Sequence, residues 1–167
     1  MEGVTVTAEL VTGTGSLAGT LTADTNAAGN AIFSGIEYTK SGETFTMKFT
    51  AGDQESAASS SVTALDPGVA THLTVTGIDD PIVAGVEDGT FTVTAKDQYN
   101  NTATGYTGTV AFTSSDTQAI LPANHAFESG DNGVHTFAVT MKTAGEKTVT
   151  ATDTVTSSIT GTQSDIT

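Results

Sequence analysis

Residues 107–114 read Thr-Gly-Thr-Val-Ala-Phe-Thr-Ser, and the alternation in this stretch decides the fold. Val110 and Phe112 are two positions apart, so both point to the same side of an extended strand, while the threonines around them point to the other side. β-Branched and aromatic residues favour half-buried strands of this kind. We therefore predict a strand over 107–114 that places Val110 and Phe112 in a core.

The same two-residue period recurs along the whole chain, between segments rich in Gly, Asn, Asp and Ser. Such segments supply the conformations that tight connections require. Seven short strands within about a hundred residues of the second half are typical of a β-sandwich. The predicted strands are 4–10, 17–23, 31–38, 44–51, 59–65, 72–77, 89–97, 107–114, 124–128, 134–142, 147–153 and 158–162. The predicted core residues are Phe33, Phe45, Phe49, Phe91, Val93, Val110, Phe112, Phe127, Phe137, Val139 and Val149.

The Asp66-Pro67-Gly68 segment interrupts the strand pattern, because proline cannot donate to a strand ladder and glycine resists a fixed conformation. We predict a domain boundary there, with one module over 1–66 and a second over 67–167. An internal repeat supports the division, since residues 29–33 match 133–137. Aligning the repeats leaves the first module without its opening strands, so we predict an incomplete first module and a complete second one.

Composition excludes several classes of function. The net charge is -14 with only five Lys and Arg residues, so the chain repels phosphates and no nucleic-acid partner is expected. Without cysteine, the chain has neither disulfides nor a thiolate nucleophile. No segment approaches the roughly 18 apolar residues of a membrane span, so we expect no direct membrane insertion. No signal pattern opens the sequence, and we expect the chain to be an excerpt of a longer protein.

Residues that carry chemistry are sparse. The three histidines, His72, His125 and His135, fall on separate segments without metal-ligand spacing. No Gly-x-Ser-x-Gly elbow occurs, and no nucleophile has an evident base. We predict no catalytic residue, no organic cofactor and no enzymatic activity.

Calcium is the one cofactor that the acidic residues favour, because this hard cation takes several oxygen ligands from flexible loops. Neither an EF-hand nor a nonapeptide spacing is present, and the alternative is that the acids are ordinary surface residues. The predicted ligands for structural calcium lie at the boundary and near one end of the second module: Asp66, Asp79, Asp80, Glu87 and Asp88.

Segments 97–101, 106–116, 131–137, 143–145 and 150–153 together resemble the bacterial immunoglobulin-like (Big-type) modules that occur in tandem in large surface proteins and adhesins. The resemblance implies an all-β fold of two tandem immunoglobulin-like sandwiches in an extracellular or cell-surface protein. Such modules often have an Asp-x-x-Gly-Asn turn, and here Asn100 stands where glycine is usual. Asparagine tolerates the left-handed conformation, so the turn is expected to form.

Three functions remain open at this stage. The first is a structural spacer whose modules stack into a stalk, with neighbouring modules as partners. The second is a fibre subunit whose incomplete first module is completed by a strand from another copy of the chain. The third is an adhesion module that binds a surface glycan or protein through loops such as 77–88 or 100–105.

Overall fold

A computed structural model describes residues 1–64, 66–86 and 89–167 of the chain. These residues form antiparallel β-sheets, and the described part contains no α-helix, so the predicted all-β class is confirmed. The chain divides into two compact units, Met1–Asp66 (unit 1) and Pro67–Thr167 (unit 2). A search of the described residues finds no helix with the length and hydropathy needed to span a membrane.

Unit 1 is built around one antiparallel sheet and a separate short pair of strands. The two long strands, β1 (Thr5–Thr12) and β5 (Thr44–Ala51), pair with each other. The short strands are β2 (Leu17–Ala18), β3 (Thr22–Asp24), β4 (Glu37–Tyr38), β6 (Gln54–Glu55) and β7 (Val62–Thr63). The sheet has the order β3-β1-β5-β6, with β7 also paired to β5, while β2 pairs with β4.

Hydrophobic packing in unit 1 is thin. Along β1 the alternation places Ala8 in a buried position, but its nearest neighbours on the same face are only half-buried. Phe45 of β5 is buried and stacks on Tyr38, with ring centroids 4.0 Å apart. Phe33 and Phe49 contact each other at 5.0 Å, yet both remain half-buried. Of the three core residues predicted here, only Phe45 is therefore buried.

Unit 2 is a sandwich of two antiparallel sheets. Its strands are β8 (His72–Thr76), β9 (Gly89–Lys96), β10 (Thr109–Ser114), β11 (His125–Ala126), β12 (Val134–Val139), β13 (Lys147–Asp153) and β14 (Thr160–Ile166). One sheet has the order β12-β9-β8 and the other β11-β10-β13-β14. A single 3₁₀ turn, Ser129–Asp131, lies between β11 and β12 among the described residues.

The core of unit 2 is formed by the alternate residues of both sheets. Val93 and Phe91 of β9 face Val110 and Phe112 of β10, and all four are buried. The rings of Phe91 and Phe112 meet edge-on at 5.7 Å, a favoured aromatic geometry. Every core residue predicted in this unit is buried: Phe91, Val93, Val110, Phe112, Phe127, Phe137, Val139 and Val149.

Several predicted strands differ from the observed ones. Of the predicted strand 31–38, only Glu37–Tyr38 is a strand, and Ile32 is 75% exposed. Gly29 and Gly35 adopt positive φ angles of 82° and 72°, which interrupt the extended strand on both sides of Phe33. The predicted strand 124–128 is likewise reduced to His125–Ala126. In the region predicted as 59–65, Val62–Thr63 form a strand, and Leu65 lies outside the described residues.

Candidate functional site

The five acids predicted to bind calcium are not all described. Asp66 and Asp79 are exposed, and Asp80 accepts a hydrogen bond from the backbone N–H of Thr167 at 3.1 Å and another from its hydroxyl. These hydrogen bonds, that of the hydroxyl first, lower the pKa of Asp80. Glu87 and Asp88 lie outside the described residues. Calcium binding by this set therefore stays a prediction.

Three other carboxylates of unit 2, those of Asp97, Asp116 and Asp153, are buried. Each of them accepts hydrogen bonds from a loop, as buried charges must to offset the loss of water. The partners of these carboxylates decide whether they are available to bind a ligand.

Asp97 organises the turn in which asparagine replaces the usual glycine. Its carboxylate accepts hydrogen bonds at 2.9 Å from the backbone N–H groups of Tyr99 and Asn101 and, across the loop, from that of Gly68. Burial alone raises the pKa of Asp97, but the bonds from the Asn101 side chain and these N–H groups outweigh it, so the pKa lies below its ordinary value. Asn100 has φ 65°, which confirms that asparagine takes the left-handed position of this turn.

Asp116 and Asp153 likewise accept hydrogen bonds that hold other loops. Asp116 accepts bonds from the backbone N–H of Lys142 at 2.6 Å, Thr143 at 2.9 Å and Gln118 at 3.0 Å. Burial opposes ionisation of Asp116, but these bonds hold its pKa at about 2. Asp153 accepts the hydroxyl hydrogen of Tyr106 at 2.5 Å; burial, followed by this bond, raises the pKa of Tyr106.

Gly108 fits tightly against the Tyr106–Asp153 pair. A Cβ atom at Gly108 would lie 2.1 Å from the Asp153 carboxylate and 2.4 Å from the Tyr106 hydroxyl, so only glycine leaves room for this hydrogen bond. The three carboxylates thus accept hydrogen bonds from the protein's own groups, and Gly108 leaves the space that one of these bonds needs. The role of these carboxylates is to hold loops in place.

A second kind of site, which the sequence analysis does not predict, lies between β11 and β12. The rings of His125 and His135 stack at a centroid distance of 3.8 Å, although the sequence places them on separate segments. Asp131 of the 3₁₀ turn lies between their nitrogens: Nε2 of His125 is 3.3 Å from one carboxylate oxygen, and Nδ1 of His135 is 3.0 Å from the other. All three side chains are half-buried.

A usable signal for this cluster exists in the sequence. His125 and His135 each precede a core phenylalanine, Phe127 or Phe137, by two positions, and residues two apart on a strand share a face. Both histidines therefore point toward the interior side of their strands. Only the pairing of the two sheets, which the sequence does not specify, brings them together. The remaining histidine, His72, lies apart, with Nε2 3.1 Å from the side-chain oxygen of Asn100.

A hollow near the end of unit 2 is small. It has a volume of about 120 Å³ and is lined by residues that include Ile82, Met141, Lys147 and Ile166. Sites for organic ligands usually have volumes of roughly 300 to 1,000 Å³. This hollow is too small to favour a substrate pocket.

Comparisons with known proteins leave the family open. Neither a protein-family model nor a curated protein matches the chain. Among solved structures, the chain is similar to invasin, described as a bacterial integrin-binding protein, with 18% identity and a TM-score of 0.40. The match covers 98% of this chain and 32% of the invasin chain, so the chain spans about a third of that protein's length.

Proposed function

We propose that the chain is a structural spacer of an extracellular surface or adhesin-type protein, built from tandem immunoglobulin-like modules and without enzymatic activity. One observation carries the proposal: the first and last strands of unit 2, β8 and β14, lie side by side and run in the same direction. The chain therefore enters this unit at one end and leaves it at the other, as the repeating unit of a stalk requires. The resemblance of the turn and strand segments to bacterial surface modules supports the cell-surface location.

The parallel course of the two strands follows from their contacts. Near the start, Leu73 lies against Gly161, where a Cβ would be 2.1 Å from the Leu73 carbonyl oxygen. Further along, the side-chain amide of Gln163 pairs with the backbone of Ile78: it accepts from the N–H at 3.1 Å and donates to the carbonyl at 2.8 Å. At the end, the backbone N–H of Ile82 donates to the Thr167 carbonyl at 2.7 Å.

This arrangement suits a module that bears tension. A force applied through the two ends of unit 2 pulls β8 and β14 lengthwise past each other. The Gln163–Ile78 pair and the Thr167 bonds to Asp80 and Ile82 are then loaded together rather than one after another. Resistance to extension is expected to exceed that of a unit opened from one strand edge.

Single-molecule stretching of the full chain, held through its two ends, tests the proposal. Gln163→Ala removes both side-chain bonds to Ile78, so we expect unit 2 to unfold at a clearly lower force. Gln118→Ala is the matched control, since Gln118 is exposed and lies in the loop between β10 and β11. A wild-type unit that extends without a distinct unfolding event, or a Gln163→Ala variant that unfolds at the wild-type force, would contradict the spacer role.

A second function is favoured by the thin packing of unit 1. Phe33 and Phe49 are half-buried and Ile32 is 75% exposed, so a strand supplied by another copy of the chain has apolar surface to cover. This alternative makes the chain a fibre subunit with copies of itself as partners. Light scattering coupled to size exclusion, over a wide range of concentration and with either calcium or chelator, distinguishes the two functions. A constant mass near 16.8 kDa favours the spacer, and growth with concentration favours the fibre.

A further inference from the structure

The two sheets of the unit 2 sandwich are joined at one side by a group of metal-ligand side chains. His125 belongs to β11 of one sheet and His135 to β12 of the other, while Asp131 lies in the turn that connects them. One ligand atom from each residue can be chosen so that all three lie within 4.8 Å of one another. No other part of the described chain brings three such side chains this close.

We propose that His125, Asp131 and His135 bind one divalent transition-metal ion of the zinc type. Zinc binds imidazole nitrogen and carboxylate oxygen at about 2.0 to 2.2 Å, which separates neighbouring ligands of a tetrahedron by about 3.3 Å. His125 Nε2 and His135 Nδ1 lie 3.3 Å and 3.0 Å from different oxygens of the Asp131 carboxylate, so each nitrogen is at about that separation from one oxygen of the same group. Two imidazoles and one carboxylate form a borderline ligand set that calcium and magnesium, which prefer oxygen, do not favour.

The three side chains are held in position by their surroundings. The ring of His135 packs on Phe137 with centroids 4.8 Å apart, and the ring of His125 meets Phe127 edge-on at 5.4 Å. Asp131 is fixed by the turn, because its carboxylate accepts a hydrogen bond from the backbone N–H of Glu128 at 2.8 Å.

The position of the ligands indicates what the ion does. Because β11 and β12 belong to different sheets, a single ion bound to all three side chains links the two sheets at their edges. An ion that binds the folded unit and not the unfolded chain stabilises it in proportion to its free concentration. Three protein ligands also leave one coordination position for water. The proposed role is a metal staple that strengthens the module, and it does not depend on the spacer function.

Metal titration of the full chain, freed of any purification tag and first treated with chelator, tests the proposal. Zinc chloride is followed by calorimetry, and cobalt(II) chloride by the visible absorption that distinguishes tetrahedral from octahedral coordination. We expect one ion per chain, tetrahedral cobalt absorption and slower hydrogen exchange of β11 and β12 when zinc is present. His125→Gln and His135→Gln should each weaken zinc binding at least tenfold.

The control is His72→Gln, which removes the one histidine outside the cluster and should leave zinc affinity unchanged. Asp131→Asn is expected to weaken binding as well, but Asp131 also holds its turn, so the histidine variants carry the conclusion. Both histidines are half-buried at the edge of the sandwich, and the far-ultraviolet circular dichroism of their variants without metal should match the wild type. Failure of the wild type to take up zinc or cobalt, or equal zinc affinity in the His125→Gln/His135→Gln double variant, would overturn the proposal.

Discussion

Units 1 and 2 are both built from antiparallel strands of alternating apolar and polar residues, but different interactions stabilise them. In unit 2 the inward residues of two sheets form one continuous buried cluster, which includes Phe91, Phe112 and Phe137. Among residues 1–64 and 66, the buried hydrophobic side chains are Ala8 and Phe45. Because burial of apolar surface is the dominant favourable term in folding, unit 2 should be the more stable of the two.

Unit 1 relies instead on polar contacts near its surface. Glu43 accepts hydrogen bonds from the backbone N–H of Thr14 at 2.9 Å and of Gly15 at 3.1 Å, as well as from the Tyr38 hydroxyl. The bond from Tyr38, followed by that from Thr14, lowers the Glu43 pKa to about 2. Polar contacts near the surface each contribute little stability. A sheet whose residues alternate between apolar and polar therefore also needs a second apolar layer packed against its apolar face.

The largest expected effect comes from truncating one aromatic residue in each unit. Phe112→Ala should lower the free energy of unfolding of unit 2 by about 3 to 5 kcal/mol, since it opens a cavity between Phe91 and Phe137. Phe49→Ala, at a half-buried position in unit 1, should cost only about 1 kcal/mol. Hydrogen exchange in denaturant, read separately for peptides of each unit, measures both. Equal losses would remove the contrast between the two units.

The sequence predicts the fold well where side-chain alternation and turn chemistry agree. The extents of β5 and β13 match the predicted 44–51 and 147–153, because alternating residues there end at Gly or Asp turns. Around Phe33 the same pattern is misleading, since Gly29 and Gly35 take positive φ angles and Phe33 stays half-buried. The alternation of residues predicts which face of a strand is apolar. It does not predict whether another part of the protein packs against that face.

The candidate site is predicted less well, for a related reason. Acidic residues in loops indicate calcium by composition, whereas the buried carboxylates Asp97, Asp116 and Asp153 are occupied by backbone donors that no composition reveals. The His125–His135 contact depends on the edges of two sheets meeting, which is a long-range property. The two-residue spacing from Phe127 and Phe137 places each histidine on the inner face of its strand, but the sequence alone does not show that the two histidines contact each other.

A smaller effect is expected from filling the space at Gly108. Gly108→Ala places a methyl group against Asp153 and Tyr106, and such overpacking costs about 1 to 3 kcal/mol. Gly130→Ala is the matched control, because a Cβ there meets no atom within 4 Å. Thermal unfolding of both variants gives the difference. If Gly108→Ala is as stable as Gly130→Ala, the packing of Gly108 against Tyr106 and Asp153 does not contribute to the stability of unit 2.

The next effect in size is the acid sensitivity of unit 2. The Asp116 pKa is about 2 in the folded unit against an ordinary value of 3.8, so the carboxylate contributes stability that is present above pH 3.8 and is lost as the pH falls toward 2. Asp116→Asn should therefore be less stable than the wild type at pH 6, with the gap narrowing by pH 2. Urea unfolding at several pH values measures this, and exposed Asp79→Asn is the control. A gap that stays constant with pH would show that shape, and not ionisation, is what Asp116 contributes.

The smallest effect is expected at the surface of unit 1, where Lys48 of β5 lies 2.9 Å from Glu55 and 3.5 Å from Glu9. Lys48→Gln removes both ion pairs, and because exposed pairs are weak and screened, unit 1 should lose little stability in dilute buffer and none in high salt. Lys142→Gln, at an exposed position of unit 2, is the matched control. Hydrogen exchange of β1 and β5 at low and high salt provides the measurement. A loss larger than that of Phe49→Ala would mean that charge pairing outweighs aromatic packing in unit 1, and the contrast between the units would then be one of kind as well as of core size.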